Sequence, residues 1–170
     1  GVSGTGRSFG SVLFDASFMR DRVSYALYRA RMPASRFAHV RLHVNDEPMR
    51  LYGLEERVDE DFVRRNFPGA VGNLYRNEGG DYSWQGPEPE NYVPSPWDPK
   101  EERLDHGIVP DFIYKLNFDA PAFGSICDLE SHLEHLAGLA VTGEQDSLTG
   151  DWGGIHNYYR YYHPAAGRFV

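Results

Sequence analysis

The sequence predicts an α+β protein made of antiparallel hairpins with packed helices. Three observations carry this. Apolar residues recur at helical spacing over 17–32 and again over 127–141. A period-two stretch, 37–45, returns through the turn chemistry of Asn45-Asp46-Glu47-Pro48. A second hairpin closes the chain, with Tyr158 to Tyr162 and Arg168 to Val170 joined by His163-Pro164-Ala165-Ala166-Gly167. A length of 170 residues suffices for one sizeable core; one or at most two domains are expected, and the chain is read as a single domain over 1–170.

Composition narrows the classes. The 41% hydrophobic and 14% aromatic content belongs to a folded globular chain rather than a disordered one. No run is long and apolar enough to predict a membrane span. A net charge of −8 argues against a nucleic-acid surface, whose affinity comes from neutralising phosphates, and is compatible with a metal site that gathers acids. Cys127 is alone, which excludes an internal disulfide and a cysteine zinc cage. The only lysines are Lys100 and Lys115, so a phosphate-binding lysine within this sequence would have to be one of them.

Taken in order, Gly1 to Gly10 is Gly/Ser-rich and reads as a loop or a cut end; its GTGRSFG run lacks the GK[ST] ending of a P-loop. Phe18, Met19, Val23, Ala26, Leu27 and Ala30 form the expected buried stripe of the first helix. Asp15 or Ser17 caps that helix and Pro33 stops it, with Arg20, Arg22, Arg29 and Arg31 on its solvated face. Ala38, Val40, Leu42 and Val44 alternate with Phe37, His39, Arg41 and His43, a half-buried strand. His39 and His43 fall roughly 13 Å apart along such a strand, too far to share a metal. The chain returns as a strand over 49–57. Asp59 caps a short helix from Glu60 to Phe67, docked by Phe62, Val63 and Phe67 and ended by Pro68-Gly69.

Asn73 to Arg76 is a short strand. Residues 77–98 have no periodicity and read as a long loop or insertion, in which Trp84, Tyr92 and Trp97 either cover a cleft or anchor the loop. Phe112 to Phe118 is a strand or a helix end, and Cys127 to Val141 is a helix with Leu129, Leu133, Leu136, Ala137 and Ala140 as its buried stripe.

The stretch between that helix and the last hairpin carries the chemistry. It holds Asp146 and Asp151 in a Gly-rich segment, then His156-Asn157, then the Tyr-rich strand. Phosphoryl transfer needs a carboxylate to orient or deprotonate a hydroxyl and an amide oxygen to help hold a divalent metal on the phosphates. The same residue types are also ordinary turn formers, and His156 also suits a structural role, holding a loop through backbone hydrogen bonds.

The order of motifs resembles the CotH family of kinase-like proteins: the Asn-turn hairpin leading into EERVDEDFVRRNFPG, the GNLYR strand, and Asp146-Ser147 followed by His156-Asn157-Tyr158-Tyr159, across most of residues 10–170. The resemblance implies an atypical protein-kinase-like fold that moves the γ-phosphoryl group of ATP to Ser or Thr of a protein, with Mg²⁺ or Mn²⁺. It implies Asp146 as the catalytic-loop carboxylate, with Asp151 as rival because its spacing to Asn157 is nearer the Asp-x4-Asn of ordinary kinases. Asn157, with Asp151 in the alternative arrangement, would be a metal ligand and His156 a loop-locking residue beside the nucleotide site. Glu56 would partner a phosphate-binding lysine; otherwise it is a surface acid paired with Arg57 or Arg64. An extracellular, envelope or spore-coat location follows from the resemblance alone.

The departures from the family pattern are specific. Met49-Arg50 stands where relatives carry Gly, Lys115 does not match the phosphate-binding lysine, and the Pro-Trp-Asp-x-Asp metal segment is not in this sequence. The expectation is an incomplete copy of the domain. Two rivals follow: a catalytically silent coat or cell-surface binding module, and a metal-dependent hydrolase built on Asp146, Asp151, His156 and Asn157.

Overall fold

A computed structural model describes residues 7–10, 17–69, 71–77, 82–143 and 158–170. It is a mixed α/β structure with antiparallel sheets and several helices, and the chain divides into two compact units, Gly1–Asn66 and Phe67–Val170.

The first unit is a three-stranded antiparallel sheet with two helices. Its strands are β1 (Arg7–Gly10), β2 (Phe37–Leu42) and β3 (Arg50–Glu56), in the order β1-β3-β2. The expected hairpin is present: β2 pairs with β3 from Phe37↔Glu55 to Leu42↔Arg50, and Asn45 takes φ 52° in the turn. Asn is among the few residues that enter this left-handed region readily. β1 corrects the loop reading of residues 1–10. Arg7 to Gly10 pair with Glu56 to Gly53, a backbone association that needs no apolar alternation.

Helix α1 (Arg20–Arg29) forms where its period predicts, but the face is different. Met19, Val23 and Leu27 are exposed, the last two at 48%. The helix docks instead through Tyr25, whose ring stacks on Phe37 at 5.9 Å and whose hydroxyl donates to Glu55. Its side-chain cap is also absent; Ser17 Oγ accepts from the Met19 N–H just outside it. Helix α2 (Glu60–Asn66) follows expectation, with Asp59 Oδ1 accepting from the N–H groups of Asp61 and Phe62, and Phe62 and Val63 buried.

The second unit is a four-stranded antiparallel sheet, order β5-β4-β6-β7, with three helices. Its strands are β4 (Leu74–Asn77), β5 (Trp97–Glu101), β6 (Tyr158–His163) and β7 (Arg168–Phe169). Its helices are α3 (Ile108–Phe118), α4 (Ala120–Phe123) and α5 (Leu129–Thr142). Trp97, Phe112 and Phe169 meet edge to face at 5.0–5.7 Å and centre the core. Of the aromatic residues in the 77–98 stretch, Trp97 and Tyr92 are each 1% exposed. They anchor; they do not cover a cleft. Tyr92 also pins its own segment, accepting from Gln85 N–H at 2.7 Å and donating to the Gly86 carbonyl at 3.0 Å. Residues 112–118 are the C-terminal part of α3, not a strand.

Helix α5 again shows its stripe on the wrong side. Leu129 and Leu133 are exposed, Ala137 and Ala140 also, while Leu139 is buried and His132, His135 and Leu136 are half-buried. Asp128 caps its start and Gly143, at φ 66°, ends it in the left-handed conformation that glycine adopts at no steric cost.

Two residues of the GNLYR strand explain why that motif packs as it does. Asn73 is wholly buried. Its Oδ1 accepts from the N–H groups of Arg103 and Leu104 at 2.7 and 2.9 Å, and its Nδ2 donates to Tyr75 Oη and the Leu104 carbonyl at 2.8 and 3.0 Å. One amide thus ties β4 to the segment before α3. Gly72 lies against the backbone of β6 and the turn after it.

Candidate functional site

Glu56 is the sequence-predicted site residue that lies among the described residues. It ends β3, is 9% exposed, and sits between two guanidinium groups. Arg36 offers its backbone N–H to Oε2 at 3.0 Å, and its Nη2 and Nε to Oε1 at 2.8 and 3.2 Å. Arg65, carried by α2, donates from Nη2 to Oε2 at 2.5 Å and from Nε to Oε1 at 3.1 Å. The partners are therefore Arg36 and Arg65 rather than Arg57 or Arg64, and Glu56 is buried rather than a surface acid. Arg64 pairs with Asp61. The two lysines are engaged elsewhere, Lys100 with Asp98 and Lys115 with Asp111 one turn away on α3.

Burial by itself would raise the Glu56 pKa. The hydrogen bonds from Arg36 and Arg65 outweigh it and hold the carboxyl below its usual value. A depressed folded-state pKa contributes stability that is complete above the unfolded-state value and is lost as pH falls through the folded value. Glu56→Gln is expected to cost the first unit about 1–2 kcal/mol, modest because Arg36 is largely solvent-exposed. Faster hydrogen exchange of the β2–β3 amides at pH 7, with the difference shrinking below about pH 4, would show it.

Asp146, Asp151, His156 and Asn157 lie outside the described residues. The elements that bracket them are described. Upstream, α5 ends at Thr142 with the Gly143 turn; downstream, β6 begins at Tyr158, directly after Asn157. That strand is firmly held: Leu74↔Tyr161 to Asn77↔Tyr158 pair it with β4, and Tyr158 and Tyr161 are buried. Among the described residues, no group of three or more His, Cys, Asp and Glu side chains could hold a metal ion. No described helix is long and apolar enough to cross a membrane.

A cluster that sequence reasoning missed lies in the second unit. Arg160 of β6 is 6% exposed, and its guanidinium rests over the rings of Phe112, Tyr158 and Tyr82 at 5.1, 5.4 and 5.6 Å. Its Nε donates to Tyr82 Oη at 2.9 Å and its Nη2 to His132 Nδ1 at 3.2 Å. Burial first, and the Arg160 charge second, push the His132 pKa down to about 4, and the same two causes lower that of His135. The one available signal was His132 and His135 three apart in a helix otherwise read through its leucines.

The sign for His132 follows from linkage. Its folded pKa lies below the unfolded value of 6.5, so the unfolded chain binds more protons between them and stability falls as pH drops from about 6.5 towards 4. The second unit should lose on the order of 2 kcal/mol over that window, reduced from the full shift because the ring is partly solvated. Trp84 and Trp97 pack in or against this unit's core, so urea unfolding followed by tryptophan fluorescence at pH 6.5 and 4.5 reads it. His132→Gln should flatten the pH dependence.

The described structure is thus mixed α/β, with a buried acid held by two arginines in the first unit and, in the second, a last hairpin whose first strand begins at Tyr158. Residues 8–170 match the family described as CotH kinase protein, and the chain belongs to that family. No curated protein matches the chain.

Proposed function

We propose that the chain is a CotH-type kinase-like domain that transfers the γ-phosphoryl group of ATP to Ser or Thr hydroxyls of a protein, with Mg²⁺ or Mn²⁺. The observation that carries this reading is the family match over residues 8–170, within which the Asp146-Ser147 and His156-Asn157-Tyr158-Tyr159 motifs stand in order. The chemistry asks little covalent work of the protein: the acceptor hydroxyl must be positioned and the phosphate charge neutralised. Asp146 or Asp151 would orient or deprotonate the hydroxyl. A divalent metal would neutralise phosphate charge, and Asn157 with Asp151 are the residues that would hold it. His156 would fix the segment. Glu56, already bound by Arg36 and Arg65, would not partner a lysine.

The test is phosphate incorporation into an acceptor protein by the full-length protein with labelled ATP. Incorporation that requires Mg²⁺ or Mn²⁺ and yields phosphoserine or phosphothreonine supports the reading. ADP production indifferent to a protein acceptor would instead point to the hydrolase.

A second reading is favoured by the lysine pairings. With Lys100 paired to Asp98, Lys115 to Asp111, and Glu56 to Arg36 and Arg65, the domain would serve as a nucleotide-silent coat or cell-surface binding module. Calorimetry of the full-length protein with ATP and Mg²⁺ separates the two, because only the kinase reading requires a binding heat.

A further inference from the structure

Within the second unit, the Arg160 cluster opens onto a cavity of about 230 Å³. Its described walls are apolar on most sides, with Phe112, Leu116, Phe123 and Leu136, and polar where Arg160, His132 and Tyr82 meet. We infer that this cavity is a binding site for a small amphipathic monocarboxylate, its carboxylate on the Arg160 guanidinium and its apolar body against Leu116, Leu136 and Phe123. This inference does not rest on the proposed phosphotransfer chemistry.

The charge balance is the first reason. A guanidinium remains protonated under all ordinary conditions and carries five N–H donors. Hydrogen bonds to Tyr82 and His132 use two of them, and the buried thiol of Cys127 lies beside the same group. His132 accepts as the uncharged ring, and burial pushes the Tyr158 and Cys127 pKa values up, so none of these three groups offers a negative charge at neutral pH. Among the described residues no carboxylate pairs with Arg160. Aromatic faces contribute some compensation, but a buried cation is well compensated only by an anion that also takes its hydrogen bonds.

The second reason is shape. A cavity of about 150 Å³ lined by apolar side chains accepts benzene, so one of this size accepts a six- or seven-carbon acid. A planar carboxylate matches the two-pronged guanidinium edge. Phosphate fits less well, because the apolar walls would leave most of its oxygens without donors.

The experiment uses the full-length protein and two acid–amide pairs of equal shape, benzoate with benzamide and hexanoate with hexanamide. Calorimetry should show one site per chain for an acid, with Kd below about 1 mM and the matching amide at least about tenfold weaker. Leu136→Phe, which fills the cavity without touching the charge, should abolish acid binding while preserving circular dichroism and tryptophan fluorescence. Arg160→Met should also abolish it. Acid and amide binding equally well, binding unchanged in Leu136→Phe, or no binding of either acid up to about 10 mM would each overturn the assignment.

Discussion

Asp146→Asn in the full-length protein is expected to cut ATP-dependent phosphate incorporation by about two to four orders of magnitude, the contribution of a positioned general base. The substitution is nearly isosteric. It keeps a hydrogen-bonding oxygen but removes the group proposed to take the acceptor proton, so nucleotide affinity should change by no more than about threefold. The same variant should leave the tryptophan fluorescence of Trp84 and Trp97 unchanged, because those residues pack in the second unit's aromatic core and its flank. Asp151→Asn discriminates the two acids. If Asp151 serves mainly the metal, its variant should be rescued in part by raised Mg²⁺ or Mn²⁺, which Asp146→Asn should not be. Labelling at the unmodified rate in both variants would remove the segment from the mechanism altogether.

How much of this was legible in the sequence divides by the range of the interaction. Most local chemistry read correctly, the side-chain cap of α1 excepted. The Asn45-Asp46-Glu47-Pro48 and His163 to Gly167 turns, the Asp59 cap and the Pro68-Gly69 stop are decided by a few adjacent residues and appear where expected. The faces of α1 and α5 did not read correctly, whereas that of α2 did. An apolar stripe announces which side of a helix prefers burial, but the neighbouring surface decides which side is buried. In α1 Tyr25 has both a ring to stack on Phe37 and a hydroxyl for Glu55, and the Met19–Val23–Leu27 stripe stays in solvent. In α5 the histidines turn towards Arg160, and Leu133 remains 63% exposed.

Two further elements left no periodic signal. β1 is held by its backbone pairing with the central strand β3, which any sequence able to extend satisfies. Trp97 and Tyr92 come from a segment without alternation, yet large aromatic residues bury enough surface singly to anchor a loop. Arg160 was hidden for a related reason. In the run Tyr158-Tyr159-Arg160-Tyr161-Tyr162 a lone arginine reads as the solvated side of a strand, and its burial depends on Tyr82, Phe112 and His132, all distant in sequence.

Among the described glycines, Gly72→Ala should be the most damaging substitution, costing about 3 kcal/mol or more. The reason is the direction of the absent side chain, not backbone freedom. A Cβ built on Gly72 falls far inside van der Waals distance of the Tyr162 carbonyl oxygen and 2.9 Å from Pro164 Cδ. Neither neighbour yields easily. The Tyr162 backbone is fixed by its N–H bond to the Asn73 carbonyl at 2.9 Å and by the β6–β7 register, and Pro164 belongs to the turn between those strands. Relief therefore requires β4 and β6 to separate where Leu74 pairs with Tyr161 and where Asn73 holds the segment before α3. Gly124→Ala is the control. Its Cβ would meet Leu129 Cδ1 at 3.4 Å, an ordinary contact, and its φ of −63° suits any residue, so its effect should stay within about 0.5 kcal/mol. Urea unfolding followed by tryptophan fluorescence measures both variants. Equal midpoints would show that the two strands separate at negligible cost, and the damage to β6 would then be too small to reach Asn157, the residue that immediately precedes it.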